Sequence, residues 1–237
     1  GDRGVKALVL SEDGAEFREV PGTSADDNLI DTRVVASLDE SGDLIGELSA
    51  EYKGDLALGM RGFLEITSKD DAEKAIERWL QDTYPHVKIK DWTCETEGSP
   101  RACVLTVSFE SPNCAQSSGD RMILNGKIFG TGRREGPMPD RERFHSLDFG
   151  HAYTTSYSVE LELPEGLAVE VLPDEIDITT PFGSFSRAYD KKGSVIASSR
   201  TFKLSSPRVS PNRYQEFRSF TVDVEQAESE PILLGPA

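Results

Sequence analysis

YTTSYSVELELPEGLAVEVLPDEIDITTPFGSFSRAYDKKGSVIASSRTFKL, residues 153–204, is the stretch whose reading decides the fold. Apolar and polar residues alternate along it in short runs, the period-2 mark of strands with one buried face. The runs fall at 153–163, 167–172, 176–180, 184–189 and 194–204. Turn residues stand between them: Pro164-Glu165-Gly166, Pro173-Asp174, Phe182-Gly183 and Lys192-Gly193. Strands at such even spacing predict an antiparallel sheet or sandwich.

Working outward, 5–10 and 16–20 read as a hairpin about Asp13-Gly14, followed by a polar loop over 21–28. Segments 29–38 and 44–52 pair around Asp39-Glu40-Ser41-Gly42-Asp43. Asp39, Ser41 and Asp43 alternate as in a calcium loop, but the distal bidentate glutamate is missing, so a plain turn is read. Residues 56–66 have helical composition. Ser68, with Asp71 three residues on, caps a second helix that ends at Pro85. Ala72, Ile76, Trp79, Leu80 and Thr83 lie near one face of it, and Trp79 reads as a core anchor. Strands follow at 87–95 and 103–109 about a Gly98-Ser99 turn, with Cys103, Leu105, Val107 and Phe109 pointing inward, and another at 121–124. Ser210-Pro211 opens a last helix with Tyr214, Phe217, Thr221 and Val224 on one stripe.

The fold class is therefore α+β: mainly antiparallel sheet or sandwich with two to three helices, in two subdomains. The expected boundaries are lead-in strands over 1–28, a β subdomain over 29–145 with a helical insertion at about 54–84, and an antiparallel β subdomain over 146–237 ending in a helix at about 211–226. The Gly-, Pro- and Arg-rich segment 126–143 is the expected junction.

The chain has 42 acidic and 26 basic residues and a formal net charge of -16. Such a surface repels phosphate backbones and anionic lipid, so nucleic-acid binding is not expected. No apolar run approaches the roughly 20 residues that span a bilayer, so membrane insertion is not expected either. Gly1-Asp2-Arg3-Gly4 reads as a cut edge, with Gly1 a tag remnant.

Catalytic and metal chemistry find little support. His145, Asp148 and His151 form an HxxDxxH pattern, but Phe149-Gly150 and the following strand argue against the helix that would gather them, so no metal site is assigned. Cys94, Cys103 and Cys114 form no CxxC pair. Cys103 sits in an apolar strand. Cys114 is the one thiol expected to be exposed, in a loop with no nucleophile motif around it. If Gly98-Ser99 is a two-residue turn, Cys94 faces Cys103 at a non-hydrogen-bonded position, where a cross-strand disulfide could form. Pro100 weakens that register, and two buried free thiols are the favoured alternative. Arg133, Arg134, Arg141 and Arg143 make a basic loop that could contact an acidic partner surface; a solvated loop is the simpler reading. Gly130-Thr131-Gly132 lacks the strand, Lys-Ser/Thr pair and helix of a phosphate loop. No cofactor is expected.

Six stretches together resemble the C-terminal region of bacterial transglutaminase-like proteins: RGVKALVLSEDG, YKGDLALGMRGFLEI, DDAEKAIERWLQDTYPHVKI, LDFGHAYTTSYSVELELPEGLAVEVLP, FGSFSRAYDKKGSV and SPNRYQEFRSF. In that family a papain-like core with a Cys-His-Asp triad is flanked by domains of unknown function, and the proteins are generally exported. The resemblance implies that this chain begins after the core, and no triad residue carries over. Leu147, Asp148, Phe149, Pro164, Gly166, Pro173, Tyr189 and Tyr214 match as strand, turn and core positions. The expectation is a non-catalytic accessory region of an exported protein, partnered with the core of the same parent chain. A stand-alone glycan- or peptide-binding β module is the alternative, and an independent hydrolase ranks last.

Overall fold

The computed structural model describes residues 6–11, 14–19, 22–96, 101–130 and 138–237. The strands in chain order are β1 (Lys6–Ser11), β2 (Gly14–Glu19), β3 (Leu29–Leu38), β4 (Leu44–Lys53), β5 (Lys88–Glu95), β6 (Ala102–Ser111), β7 (Ala115–Ser118), β8 (Arg121–Leu124), β9 (Leu147–Asp148), β10 (Tyr153–Glu162), β11 (Leu167–Val171), β12 (Ile176–Thr180), β13 (Gly183–Lys192), β14 (Val195–Leu204), β15 (Arg208–Val209) and β16 (Ile232–Pro236). The helices are α1 (Asp55–Ile66), α2 (Lys69–Gln81) and α3 (Tyr214–Glu228). A 3-10 turn at Pro211–Arg213 leads into α3, and another forms at Gly126–Phe129.

The fold is α+β. Eight strands form one sheet in the order β12-β13-β14-β10-β3-β4-β6-β5. A four-stranded sheet, β11-β16-β8-β7, makes a second layer, and β1-β2 and β15-β9 are separate pairs. Pairing is antiparallel except where β10 runs parallel to β3, with Tyr157 opposite Thr32 and Val159 opposite Val34. The large sheet therefore passes straight through the boundary expected near residue 145. Strands from both sides of it share one core.

Alternation sets the faces. Val34, Ala36 and Leu38 of β3, Leu44, Leu48 and Ala50 of β4, Cys103, Leu105, Val107 and Phe109 of β6, and Tyr157, Val159 and Leu161 of β10 are buried on one side. The intervening positions, mostly serine, threonine and charged residues, take the other, while Thr32 and Thr155 stay on the buried side. Asp39 accepts from Ser41 N, Ser41 Oγ and Asp43 N, which closes the β3–β4 turn. Those bonds, the Ser41 hydroxyl foremost, hold the Asp39 carboxyl below its ordinary pKa.

Helix α3 lies on the β12–β14 half of the core face with Tyr214, Phe217, Thr221 and Val224 buried. Phe220 stacks on Phe202 at 5.9 Å. Ser210 precedes the 3-10 turn but makes no capping bond; its hydroxyl meets Asn212 Oδ1. Beneath the C-terminal end of α3, Arg187 of β13 and Arg200 of β14 stand directly opposite each other and are 4% and 3% exposed. Arg200 meets a single oxygen of Glu228, itself 6% exposed, with two nitrogens, Nε–Oε1 at 2.7 Å and Nη2–Oε1 at 2.5 Å. Arg187 donates to the carbonyls of Ala227 and Asp174 and to Glu230 at 2.6 Å. Among the described residues, no helix is long and apolar enough to cross a membrane.

Removing one partner of a buried pair strands the other charge, at a cost of about 3–5 kcal/mol. Glu228→Ala should lower the free energy of unfolding by about that much. The double variant R200M/E228L should recover most of the loss, because an apolar pair leaves no orphan charge. Urea unfolding of the three proteins checks this; equal losses in single and double variants would contradict it.

Candidate functional site

The floor of a cleft of about 510 Å³ is made by Ile30 and Thr32 of β3, Tyr52 of β4, and Thr155 and Tyr157 of β10. Its walls are Leu56, Met60 and Phe63 of α1 and Trp79 and Leu80 of α2. Asp82 and Thr83, just past α2, and His151, before β10, also line it. The volume falls in the range of small-molecule sites, roughly 300–1,000 Å³.

Asn28 fixes this arrangement. It is fully buried, and its Nδ2 donates to Thr23 Oγ1 and to Ala152 O, both at 2.9 Å. Its Oδ1 accepts from Asp55 N at 2.9 Å, which satisfies one orphan donor of the first turn of α1. One side chain thus joins the start of β3, the start of α1 and the approach to β10. Gly54 makes this possible: its φ is 67°, and a Cβ there would strike Asp27 O and Asn28 Oδ1. At the start of α2, Ser68 Oγ accepts from Asp71 N at 3.2 Å and donates to the Asp71 carboxylate at 2.8 Å, a reciprocal cap.

Trp79 corrects the sequence reading. It is 41% exposed and lines the cleft instead of anchoring the core. At about 100° per residue, the buried stripe of Ala72, Ile76 and Leu80 centres on Ile76, and Trp79 falls about 60° to one side, toward the gap beside α1. Helix α1 carried a signal too. DLALGMRGFLEI has apolar residues on several faces, yet only Leu56 and Ala57 are buried. A Cβ on Gly59, which also lines the cleft, would meet nothing within 4 Å. Glycine in a helix interior costs about 1 kcal/mol relative to alanine, and packing gives no reason for it here.

The hydroxyl of Tyr157, a floor residue, lies 3.3 Å from that of Tyr84, which is outside the lining. Burial raises Tyr157 to about 12 and Tyr84 well above its ordinary value, so both are neutral phenols.

The thiols do not enter the cleft lining. Cys94 and Cys103 are free, and their register differs from the expected one. Cys94 faces Leu105, two residues further along β6, while Cys103 faces Tyr52 of β4. The even shift keeps both cysteines on the core face, as diagonal neighbours. A bulge between Ile89 and Asp91 sets Ile89 against Phe109 and Trp92 against Val107, so apolar burial selects this register. The Gly98-Ser99 turn lies outside the described residues. Burial raises Cys94, and burial with the Cys94 neighbour raises Cys103 to about 12. Cys114, expected to be exposed, is buried and raised to about 11. Its loop is tacked to the β3–β4 turn by Asn113 N to Asp43 Oδ1 and Ala115 N to Gly42 O.

The HxxDxxH residues do not converge. Asp148 binds Arg208 at 2.5 Å and Gly150 N at 3.0 Å, and the Arg208 bond holds its carboxyl below the ordinary range. Among the described residues no group of three His, Cys, Asp or Glu is placed to hold a metal. Of the basic loop, Arg133 and Arg134 lie outside the described residues. Arg141 is exposed, and the Arg143 guanidinium sits 5.3 Å from the centre of the Tyr214 ring. Tyr214 Oη to Pro139 O and Arg218 Nε to Met138 O strap the same loop to α3.

Thiols with such raised pKa values should react slowly in the folded chain. At pH 8, Ellman's reagent should label Cys103 and Cys114 only on unfolding, and denatured, unreduced protein should show three equivalents. One equivalent there would mean a Cys94–Cys103 bridge, and a fast thiol in native protein would contradict the burial.

No curated protein matches the chain. A crystal structure of a "putative protease" from Parabacteroides distasonis ATCC 8503 aligns at 17% identity with a TM-score of 0.41, over 52% of this chain and 24% of that one. Residues 120–234, from the edge of β8 through β16 and including α3 but not the cleft helices, match the family model of a domain of unknown function with a solved structure, DUF3858.

Proposed function

We propose that this chain is a non-catalytic accessory region of a larger, exported transglutaminase-like protein, and that it docks on the core of that parent through its first hairpin. The β1–β2 hairpin carries the reading. Leu8 faces Phe17 across it and Leu10 follows on the same side; the three are 55%, 76% and 72% exposed. None of the hairpin's described residues joins the hydrophobic core. A lone two-stranded hairpin is marginal in water, and an uncovered apolar face on one calls for a partner surface. The resemblance of RGVKALVLSEDG to the strand that follows the core supplies that partner.

The chemistry of the rest supports a binding role over a catalytic one. Burial holds the thiols protonated, whereas a cysteine nucleophile must reach the thiolate near neutral pH. The cleft, with Trp79 half uncovered in its wall, gives one specific point to the alternative of a ligand-binding module.

The purified chain should neither incorporate a fluorescent primary amine into casein nor cleave it. Mixed with the separately purified core, it should bind, and L8S/L10S/F17S should lose at least tenfold in affinity by calorimetry while its own melting midpoint stays within a few degrees. Turnover by the pure chain, or equal binding by the variant, would overturn the proposal.

A further inference from the structure

We infer that the cleft between α1, α2 and the large sheet binds a small organic monocation: one ammonium group on an aromatic or alkyl body. This stands apart from hairpin docking and needs no parent chain. The body is specified by the walls, where Phe63, Trp79, Tyr52, Leu56 and Met60 offer apolar and aromatic surface. Trp79 gains most from being covered, and an indole is also the strongest side-chain partner for a cation.

The sign of the charge is specified by the lining. It holds two carboxylates, Asp55 and Asp82, one imidazole, His151, and no lysine or arginine. The carboxylates are not equivalent. Asp55 sits in the first turn of α1, where the helix end favours it, and Arg101 lies 3.6 Å away. Asp82 forms no ion pair among the described residues, and it caps the C-terminal end of a 13-residue helix, where the carbonyl dipoles also favour a cation. Arg200 reaches the floor residue Thr155 at Oγ1, 3.3 Å away, and Glu228 neutralises it from behind. One uncompensated carboxylate beside one helix C-terminus fits one positive charge. The net charge of -16 enriches cations around the whole molecule.

The test is a calorimetric titration of the chain at low salt with three probes that share a phenylethyl body: 2-phenylethylamine, 2-phenylethanol and 3-phenylpropionate. The amine should bind saturably, about three- to fivefold tighter than the alcohol and more strongly still relative to the carboxylate. Asp82→Asn should erase the amine–alcohol difference and leave alcohol binding unchanged, and 0.5 M salt should shrink it in the wild type. Trp79→Ala should weaken all three. Absence of saturable binding by any probe would overturn the site. Binding of carboxylate or alcohol as tight as amine, or a preference that survives in D82N, would overturn the charge assignment.

Discussion

Two arginines buried side by side on adjacent strands form the constraint around which the rest of the structure is arranged. Arg187 and Arg200 face each other in the β13–β14 register, where like charges repel. They are tolerated because the C-terminal end of α3 comes down on them with Glu228, Glu230 and the carbonyl of Ala227. That fixes where α3 stops, and so where β16 leaves for the second sheet. The backbone of Gly126 packs under the same turn so closely that a Cβ would strike the carbonyls of Glu228 and Glu230. Helix end, 3-10 turn and both sheets therefore meet at one charge-neutralised point.

The cleft depends on the same point from its other side. Arg200 bonds Thr155, whose neighbour Tyr157 bears on Tyr84 beyond the end of α2. Asn28 then holds the first turn of α1 to the adjoining end of β3. With α1 tied at its start and α2 packed through Ile76 and Leu80, the wedge between the helices and the sheet stays open. Filling it would take a larger side chain at Gly59 or a turn of Trp79. A shape that packing leaves unfilled, lined by aromatics and one unpaired carboxylate, is suited to holding a ligand.

Much of the fold was legible in local pattern. Alternation over 153–204 marked β10 to β14, and Ser68 with Asp71 marked the start of α2. Long-range pairing was not, because nothing local announces that β10 lies parallel to β3. The Cys94–Cys103 register escapes local pattern for a related reason: these strands are aligned by Trp92 against Val107 and by a bulge, not by the turn that joins them. The arginine clamp did leave a trace. Arg187 falls in phase with Phe185 and Tyr189, and Arg200 with Phe202 and Leu204, which puts a charge on each core-facing row. As for the site, Trp79 lies close enough to the α2 stripe to pass for core by periodicity, and the surplus apolar faces of α1 are the sequence trace of the cleft.

The central claim is that the β1–β2 face is covered by the parent protein. Hydrogen exchange followed by mass spectrometry on residues 6–19, in the isolated chain and in the full-length parent, tests it most directly. Hairpin amides should exchange within seconds in the isolated chain, as marginal two-stranded structure does, and slow by at least tenfold in the parent. Equal exchange in both would contradict the account.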